Sequence, residues 1–386
     1  MSYRVSIKRC EDYQIEHLRK GIESSLEPWG GMKTILDGKE MVLLKLNLLG
    51  SAPPEAAVTT HPSVVEVILS LIGETGVTPI IGDSPGGITS TSSYQRLLDV
   101  TGIARVAREM GCRTIFFDED TMIYHSNQSR TFRQFRIPRI LTEVDAVIGL
   151  SRFKTHQLTT ITGAVKLLYG YIPGSLKAEY HLHTGKKIDT FAELLCDLYA
   201  TFPPTLSLMD AVIAMEGNGP RHGVPRTLGL ILSSPSAPAL DWVIADIVGF
   251  KPLNIPTIQK AAERGMGPTS LEEIDIVGEE LEMVRCDDFS PPDAHKLRYV
   301  PEFFLSAVQS VIAAYPAINP IRCRRCGICV QNCPSQAIRG RPRGVPSIRS
   351  SRCIRCFCCQ ELCPEGAVEV QLPALRRLLQ KRRKEG

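Results

Sequence analysis

The stretch CIRCFCCQELCP, residues 353–364, places five cysteines in the eleven positions from Cys353 to Cys363. Four of them follow the spacing C-x2-C-x2-C-x3-C-P, and CRRCGICVQNCP, residues 323–334, repeats that spacing. The fifth cysteine, Cys358, does not fit it. Two matching runs of this kind predict a small module near the end of the chain that holds its cysteines at fixed positions.

This spacing is typical of bacterial ferredoxins with two [4Fe–4S] clusters, in which the fourth cysteine of each run binds the cluster of the other run. One cluster is therefore predicted on Cys323, Cys326, Cys329 and Cys363. The second cluster is predicted on Cys353, Cys356, Cys359 and Cys333. Paired C-x2-C motifs also form zinc ribbons, but zinc takes four ligands per ion and needs no third cysteine at this spacing.

The cysteine count supports metal binding rather than disulfides. Nine of the thirteen cysteines fall between Cys323 and Cys363, and in a reducing cytosol so dense an array indicates a metal site. Cys358 has two interpretations: a small side chain packed beside the second cluster, or a redox-active thiol or replacement ligand.

Charge is divided unevenly along the 386 residues. From Asn319 to the end there are fifteen Lys and Arg against four Glu, a formal +11, and since the whole chain is +4, residues 1–318 carry −7. Arginines around the cysteine runs predict an acidic electron-donor or electron-acceptor protein as partner. No nucleic-acid-binding fold or aromatic stacking pattern accompanies the basic residues, which argues against nucleic acid.

The sequence predicts a cytoplasmic protein. No run of about 18 apolar residues is present, so no membrane span is expected. The first residues, MSYRVSIKRCEDYQIE, have no apolar stretch behind their basic residues, so no secretory signal is expected.

Short apolar runs alternate with helical patterns over the first 280 residues. MVLLKLNLL (residues 41–49) predicts a buried strand, and THPSVVEVILSLIGETG (residues 60–76) predicts the helix that follows it. SSYQRLLDVTGIARVAREMG (residues 92–111) predicts one further helix. This alternation indicates an α/β fold, with a mainly parallel sheet and helices on both faces, whose ligand crevice lies beyond the carboxyl ends of the strands.

Four segments are predicted. Residues 1–300 form the α/β domain, residues 301–320 a linker helix, residues 321–372 a small α+β ferredoxin-like iron–sulfur module, and residues 373–386 a basic tail.

The densest polar stretch is KTHQLTTITGAVKLLYGYIPGSLKAEYHLH, residues 154–183. Thr159 and Thr160 are predicted to cap a helix that carries Lys166, and the free amides of such a helix would favour an anion. The two histidines of HLH, His181 and His183, suit either a chelating pair or solvated side chains.

Polar residues also follow several other predicted strands, and we expect them to share one site for an anionic small molecule. The predicted catalytic residues are Lys154, His156, Lys166 and His61. The predicted ligand-binding or cofactor-binding residues are Lys45, Asn47, Asp83, Gly86, Gly163, Gly174, Lys177 and Asn218.

Several segments along the chain together resemble a known family. The segments that carry the resemblance are LKLN, TTHPSVVEVI, IIGDSPGG, GLSRFKTHQLTTITGAVKLLYGYIPG, MDAVIAMEGNGP and ALDWVIAD, followed by the two cysteine runs. Together they are similar to the domain-of-unknown-function 362 family in its ferredoxin-tailed form. The resemblance implies an α/β domain fused to a two-cluster module in the cytoplasm, mainly of anaerobes, and implies no settled reaction. The KTH, TGAVK and PG segments also resemble the anion-binding loops of nickel-pincer lactate racemase-type proteins, a likeness that does not carry chemistry with it.

The first functional hypothesis is an iron–sulfur oxidoreductase. Its lysines would neutralise charge on an anionic substrate, and His156 or His61 would deliver a proton. The alternative is an electron-transfer or binding subunit that docks a partner redox complex without catalysis of its own. Clusters that only fold the module or sense iron and oxygen, and an isomerase that leaves the clusters idle, rank below these. A further flavin or metal is left open.

Overall fold

The computed structural model describes residues 2–87, 90–185, 187–294, 314–341 and 344–373. The strands are β1 (Tyr3–Arg9), β2 (Met41–Lys45), β3 (Thr78–Asp83), β4 (Arg113–Phe116), β5 (Thr121–His125), β6 (Gln134–Pro138), β7 (Ala146–His156), β8 (Thr160–Thr162), β9 (Leu206–Glu216), β10 (Val224–Ser234), β11 (Ile274–Gly278), β12 (Tyr315–Ile318), β13 (Ile338–Arg341), β14 (Gly344–Ile348) and β15 (Val368–Gln371). The α-helices are α1 (Ile15–Leu26), α2 (Gly31–Ile35), α3 (Pro62–Gly73), α4 (Thr91–Val100), α5 (Ile103–Glu109), α6 (Ala164–Leu167), α7 (Lys177–Thr184), α8 (Ile188–Thr201), α9 (Ala237–Ile247), α10 (Pro256–Glu263), α11 (Ile328–Gln331) and α12 (Cys358–Glu361). Short 3-10 helices span Glu27–Trp29, Pro54–Ala56, Arg139–Thr142, Leu168–Tyr171, Pro252–Asn254, Leu271–Glu273 and Leu281–Val284.

One large sheet organises the α/β domain. Its strand order is β11-β1-β10-β9-β7-β2-β3-β4, with β8 paired to β7. Strands β4, β3, β2, β7 and β9 run parallel to one another, whereas β10 runs antiparallel to both β9 and β1. The prediction of a mainly parallel sheet is therefore confirmed.

Helices cover both faces of this sheet, as predicted. Leu43 of β2 points into the core beneath α6, α8, α9 and α10, while Val42 and Leu44 point into the core beneath α1, α3, α4 and α5. Alternate residues of a strand face opposite sides, so a strand buried on both faces must be apolar at nearly every position. This explains the continuous apolar run at residues 41–44.

The predicted helix at residues 92–111 is two helices. The chain turns between α4 and α5 at Gly102, whose φ of +77° lies in the left-handed region that glycine adopts without strain. A continuous helix cannot pass through this conformation, so the apolar pattern continues while the axis changes.

The C-terminal module is a small α+β unit, as predicted. It pairs β12 with β15 and β13 with β14, both antiparallel, and carries α11 and α12. Its first strand begins at Tyr315, so residues 315–318 are not the end of a linker helix; residues 301–313 of that predicted helix, and residues 374–386 of the predicted basic tail, lie outside the described residues. Among the described helices, none has the length and apolar character needed to span a membrane.

The two cysteine runs repeat each other's backbone. Positive φ values occur at Arg325, Gly327 and Gln336, and again thirty residues later in each case. The matching positions in the second repeat are Arg355, Phe357 and Gly366. The local sequence thus folds into the same loop twice.

Candidate functional site

A cavity of about 390 Å³ lies between the α/β domain and the ferredoxin-like module. Lys45, Asp83 and His156 line it and are the last residues of β2, β3 and β7. The module contributes Gln331, Asn332, Cys358, Glu361 and Leu362. The crevice at the carboxyl ends of the parallel strands is therefore closed by the module, a position that parallel sheets commonly use for ligands.

Lys45 and Asp83 form a buried ion pair at the base of the cavity. Lys45 Nζ lies 2.6 Å from Asp83 Oδ1, and the Asp83 carboxylate also accepts the backbone amides of Leu48 and Ser84. Burial lowers the pKa of Lys45, and the Asp83 carboxylate opposes that shift. A Cβ on Gly170 would clash with Lys45 Nζ, so only glycine leaves room for the pair. The two charges of this pair neutralise each other.

Helix α6, which carries Lys166, is capped from a distant part of the chain. The buried Asp241 carboxylate accepts the amides of Ala164 (2.5 Å) and Val165 (3.0 Å). A Cβ on Gly163 would clash with the Asp241 carboxylate, which explains the glycine there. Burial raises the pKa of Asp241 to about 7, and the two amides oppose that shift.

The prediction that Thr159 and Thr160 cap the Lys166 helix is therefore wrong. Thr160 begins β8, which pairs with β7. Two amides at the start of α6 already bind the Asp241 carboxylate, so they do not offer the predicted site for an anion.

Lys166 differs from the other lysines of the cavity. Its Nζ has no hydrogen-bond or ion-pair partner within the described part of the chain, and burial lowers its pKa while Glu361 raises it. Thr162, also on the cavity wall, has a buried hydroxyl with no hydrogen-bond partner among the described residues. A cation and a hydroxyl donor therefore face the same space without protein partners.

His156 holds a defined tautomer beside the module. Its Nδ1 accepts the amides of Leu158 (3.0 Å) and Thr159 (3.3 Å), which assigns the ring proton to Nε2. Nε2 lies 2.8 Å from Glu361 Oε1, an ion-pair distance at an angle too poor for a good hydrogen bond. Burial lowers the pKa of His156 to about 4, with Glu361 opposing, so the ring is neutral at pH 7 and presents an N–H to the cavity.

Lys177 and His181 form the wall opposite. Lys177 Nζ donates to the carbonyls of Ile172 (2.7 Å) and Ser84, and burial lowers its pKa to about 7. His181 stacks on Phe191 at 4.7 Å, and burial lowers its pKa to about 4.

The two histidines of HLH do not act together. His181 is buried on the cavity wall, whereas His183 is exposed and does not line it. Among the described residues of the α/β domain, no group of three or more His, Cys, Asp or Glu side chains is arranged to hold a single metal ion.

Eight of the predicted α/β site residues line the cavity: His156, Lys166, Lys45, Asn47, Asp83, Gly86, Gly174 and Lys177. Four do not: Lys154, His61, Gly163 and Asn218. Lys154 is fully buried and donates to Asn47 Oδ1 at 2.6 Å and to the Val58 carbonyl, so it supports a lining residue from behind.

His61 and Asn218 have other contacts. His61 caps α3 by accepting the Ser63 amide at 3.2 Å and stacks on Tyr13 at 3.6 Å, and burial lowers its pKa to about 3. The Asn218 carbonyl accepts Gln360 Nε2 at 3.2 Å, which ties the α/β domain to the module.

The sequence did not predict several lining residues, among them Thr162, Tyr169, Cys358 and Glu361. Tyr169 was within reach of sequence reasoning, because it lies in the same polar stretch as Lys166. Cys358 and Glu361 reach the cavity only because the module packs on the α/β domain, and no local pattern indicates that packing.

The eight motif cysteines separate into two quartets. Cys323, Cys326, Cys329 and Cys363 line one small cavity. Cys333, Cys353, Cys356 and Cys359 line another. These are the sets that the spacing predicted, and Cys358 lines neither. We refer to them as the first and second quartets.

Backbone amides support the cysteine sulfurs. Ala337 N lies 3.2 Å from Cys333 Sγ, Ala367 N lies 3.2 Å from Cys363 Sγ, and Arg355 N lies 3.4 Å from Cys353 Sγ. Cysteine thiolates hold iron–sulfur clusters, and hydrogen bonds from N–H groups to their sulfurs tune the reduction potential of the cluster. Both quartets therefore fit a cluster.

Comparisons with known proteins agree with this architecture. Residues 42–246 match the family model described as "Domain of unknown function (DUF362)", and residues 322–367 match that of the "4Fe-4S dicluster domain". The "Thylakoid-associated protein sll1697" of Synechocystis sp. is 35% identical over 273 residues, which cover 69% of this chain and 81% of that protein.

Two solved structures resemble part of the chain. The lactate racemase apoprotein of Thermoanaerobacterium thermosaccharolyticum gives a TM-score of 0.43 at 10% identity over 64% of this chain and 57% of that one. A Thermotoga maritima protein gives 0.38 at 12% identity, over 66% of this chain and 60% of that one. In both cases the match spans less than two thirds of the other protein's length. The chain belongs to the DUF362 family and carries a ferredoxin-type iron–sulfur domain of the 4Fe-4S dicluster kind.

Proposed function

We propose that this protein is an iron–sulfur oxidoreductase with two [4Fe–4S] clusters that acts on an anionic small molecule held between its domains. The observation that carries the proposal is one cavity lined from both sides. Cys358 and Glu361 of the second cysteine repeat line the same cavity of about 390 Å³ as Lys166 and His156 of the α/β domain. Bound clusters would supply one-electron transfers at low potential.

The cavity also contains the Glu361 carboxylate, but its donor groups without partners among the described residues support an anionic ligand. Lys45 is neutralised by Asp83, and Lys177 is held by two carbonyls. Lys166 is the lysine left for a ligand in the described wall, and the unpartnered hydroxyl of Thr162 is a second donor. A carboxylate or phosphate would satisfy both groups, and burial would strengthen the attraction.

His156 is suited to donate a hydrogen bond to the ligand. Its Nδ1 accepts two backbone amides, so the neutral ring keeps its proton on Nε2 and presents that N–H without turning. Such a donor would stabilise negative charge that develops on a ligand when it is reduced. The predicted cytoplasmic location belongs to this proposal as well.

The test is the identity of what the protein retains. Full-length protein purified without oxygen is denatured, and the released molecules and metals are identified by mass spectrometry and metal analysis. We expect an anionic metabolite from the wild type and its loss from Lys166→Ala at unchanged iron content. Lys33→Ala removes an exposed lysine of α2 and serves as the matched control.

The possible results separate the candidate functions. Equal retention of the anion by Lys166→Ala and the wild type would contradict the role of Lys166. Iron and sulfide alone from all three proteins would favour the electron-transfer or binding subunit. A released flavin or nickel species would name a further cofactor of the cavity.

A further inference from the structure

The arginines of the module differ between its two ends. At the end of the first quartet, Arg324 lies 3.0 Å from Glu365 and Arg322 lies 3.7 Å from Glu369. At the end of the second quartet are Arg339, Arg349 and Arg352, which we call the arginine patch. Among the described residues, none of these three has a carboxylate within ion-pair distance.

No acidic residue of the module is left to neutralise the patch. Residues 314–373 contain three Glu and no Asp. Glu361 contacts His156, and Glu365 and Glu369 pair with the arginines of the other end. Within the described part of the module, arginines without a carboxylate partner thus form a group of three at the end of the second quartet, whereas Arg325 also lacks such a partner at the end of the first.

The three arginines are close enough to repel one another. Partial desolvation is the main cause that lowers the pKa of the Arg349 guanidinium, and the positive charges of Arg339 and Arg352 lower it further. Arg339 and Arg352 are exposed, and Arg349 is partly buried. Like charges held together on a surface disfavour the folded state unless a partner of opposite charge covers them.

Backbone contacts join the patch to ligands of the second quartet. Arg352 directly precedes Cys353, and the Arg349 carbonyl accepts the amides of both residues at 3.1 Å. The Arg349 amide donates to the Ala337 carbonyl at 2.8 Å, and Ala337 in turn donates its amide to Cys333 Sγ. A protein that covers the patch would therefore lie against the second quartet.

We propose that the arginine patch is the docking surface for an acidic electron-carrier protein, of which a flavodoxin is the model. Complementary charge would neutralise the patch, speed the encounter and orient the carrier toward the second quartet. The second cysteine repeat, which follows Arg352 in the sequence, also places Cys358 and Glu361 in the cavity wall. The proposal rests on the proposed function only in taking the second quartet as a cluster site.

The experiment measures binding of an acidic flavodoxin to the full-length, cluster-loaded protein at low and high salt, without oxygen. Arg339→Gln/Arg352→Gln removes two charges from the patch. Arg322→Gln/Arg324→Gln removes two from the other end and is the matched control. We expect the patch variant to bind about tenfold more weakly at low salt, with the control close to the wild type and the difference lost at high salt.

Iron content and visible spectrum must match in all variants, so that a folding defect is recognised. Equal weakening by the two variants, or absence of flavodoxin binding by the wild type, would overturn the proposal. Tighter binding of a DNA duplex than of flavodoxin would reassign the patch to nucleic acid. Lys166→Ala should still bind flavodoxin, so a failed substrate hypothesis and a failed docking hypothesis give different results.

Discussion

The two cysteine repeats share a backbone and differ in what they face. Residues 323–337 and 353–367 have positive φ values at equivalent positions and amide-to-sulfur contacts at equivalent cysteines. Their outward side chains are not equivalent: Ile328 and Gln331 of the first repeat correspond to Cys358 and Glu361 of the second. The backbone repeat holds the ligands, whereas the side chains that differ decide what each repeat contributes to the cavity wall.

The same contrast extends to charge. Arg322 and Arg324 near the first quartet are paired with glutamates, and the described arginines of the patch near the second are not. Symmetry of the loops therefore serves cluster binding, and asymmetry of the side chains would give one quartet both a partner surface and a ligand cavity. The following substitutions test this division and are given in order of decreasing effect.

The largest effect should come from replacing Cys359, which belongs to the second quartet. Its neighbour Cys358 does not belong to it and lines the large cavity instead. We expect Cys359→Ser to lower the iron content from about eight to about four per chain, because one [4Fe–4S] cluster loses a ligand. Cys358→Ser should leave the iron content unchanged. Iron and sulfide assays on protein purified without oxygen measure this, and loss of about four irons in Cys358→Ser would make it a ligand.

Glu361→Gln makes the second repeat resemble the first at this position. The substitution removes the buried carboxylate that lies 2.8 Å from His156 Nε2 and opposes the positive charge of Lys166, and we expect the free energy of unfolding to fall by about 2 kcal/mol, as when a buried polar group loses its partner. The reverse substitution, Gln331→Glu, changes an exposed residue and should alter stability by less than about 0.5 kcal/mol. Denaturant unfolding measures both, and equal effects of the two would refute the contrast.

His181 lines the cavity together with Cys358 and Glu361 of the second repeat, and it should make the free energy of unfolding depend on pH in the acid range. Burial lowers its folded pKa to about 4 from 6.5, so the unfolded chain binds more protons between these values. Its contribution to the free energy of unfolding is therefore fully present above pH 6.5 and is lost as the pH falls toward 4. Between about pH 7 and 5.5 the wild type should lose about 1 kcal/mol through this group.

His181→Gln should remove this part of the pH dependence. The exposed His183 provides the control, since His183→Gln should keep the wild-type dependence. Denaturant unfolding at about pH 7 and 5.5 gives the comparison, and an unchanged slope in His181→Gln would show that other groups govern the acid limb.

The smallest effect concerns the arginines. Arg324→Ala breaks an exposed pair with Glu365 and should cost at most about 0.5 kcal/mol. Arg352→Ala relieves repulsion within the arginine patch and should cost nothing or stabilise slightly. Thermal unfolding compares the two, and a larger loss for Arg352→Ala would mean that this arginine has a structural partner.

Local features of the sequence are sufficient to predict the cysteine quartets and the mainly parallel sheet. Ligand spacing is a property of one short loop, and the apolar run at residues 41–44 reflects burial on both faces of a strand. The break at Gly102 was missed because the apolar pattern continues across it. The strand at Tyr315–Ile318 was missed because its pairing partner, β15, lies fifty or more residues away.

The site was harder to predict because burial and pairing decide which polar residues are free. Lys154 and Lys166 look equivalent in the sequence, yet Lys154 is enclosed by Asn47 and Val58 whereas Lys166 faces the cavity. The cap on α6 comes from Asp241, 77 residues after the Ala164 amide that it accepts, and no pattern near residues 159–163 reveals it. Contacts between distant segments set both outcomes.

The module's share of the cavity wall has a consequence for protein engineering. Ferredoxin modules are often regarded as interchangeable parts that can be exchanged to alter potential. Here Gln331, Asn332, Cys358, Glu361 and Leu362 belong to the module and also complete the wall of the cavity. A chimera with a foreign module would therefore have a different cavity wall as well as different cluster surroundings, and binding of the proposed small molecule would change along with the electrochemistry.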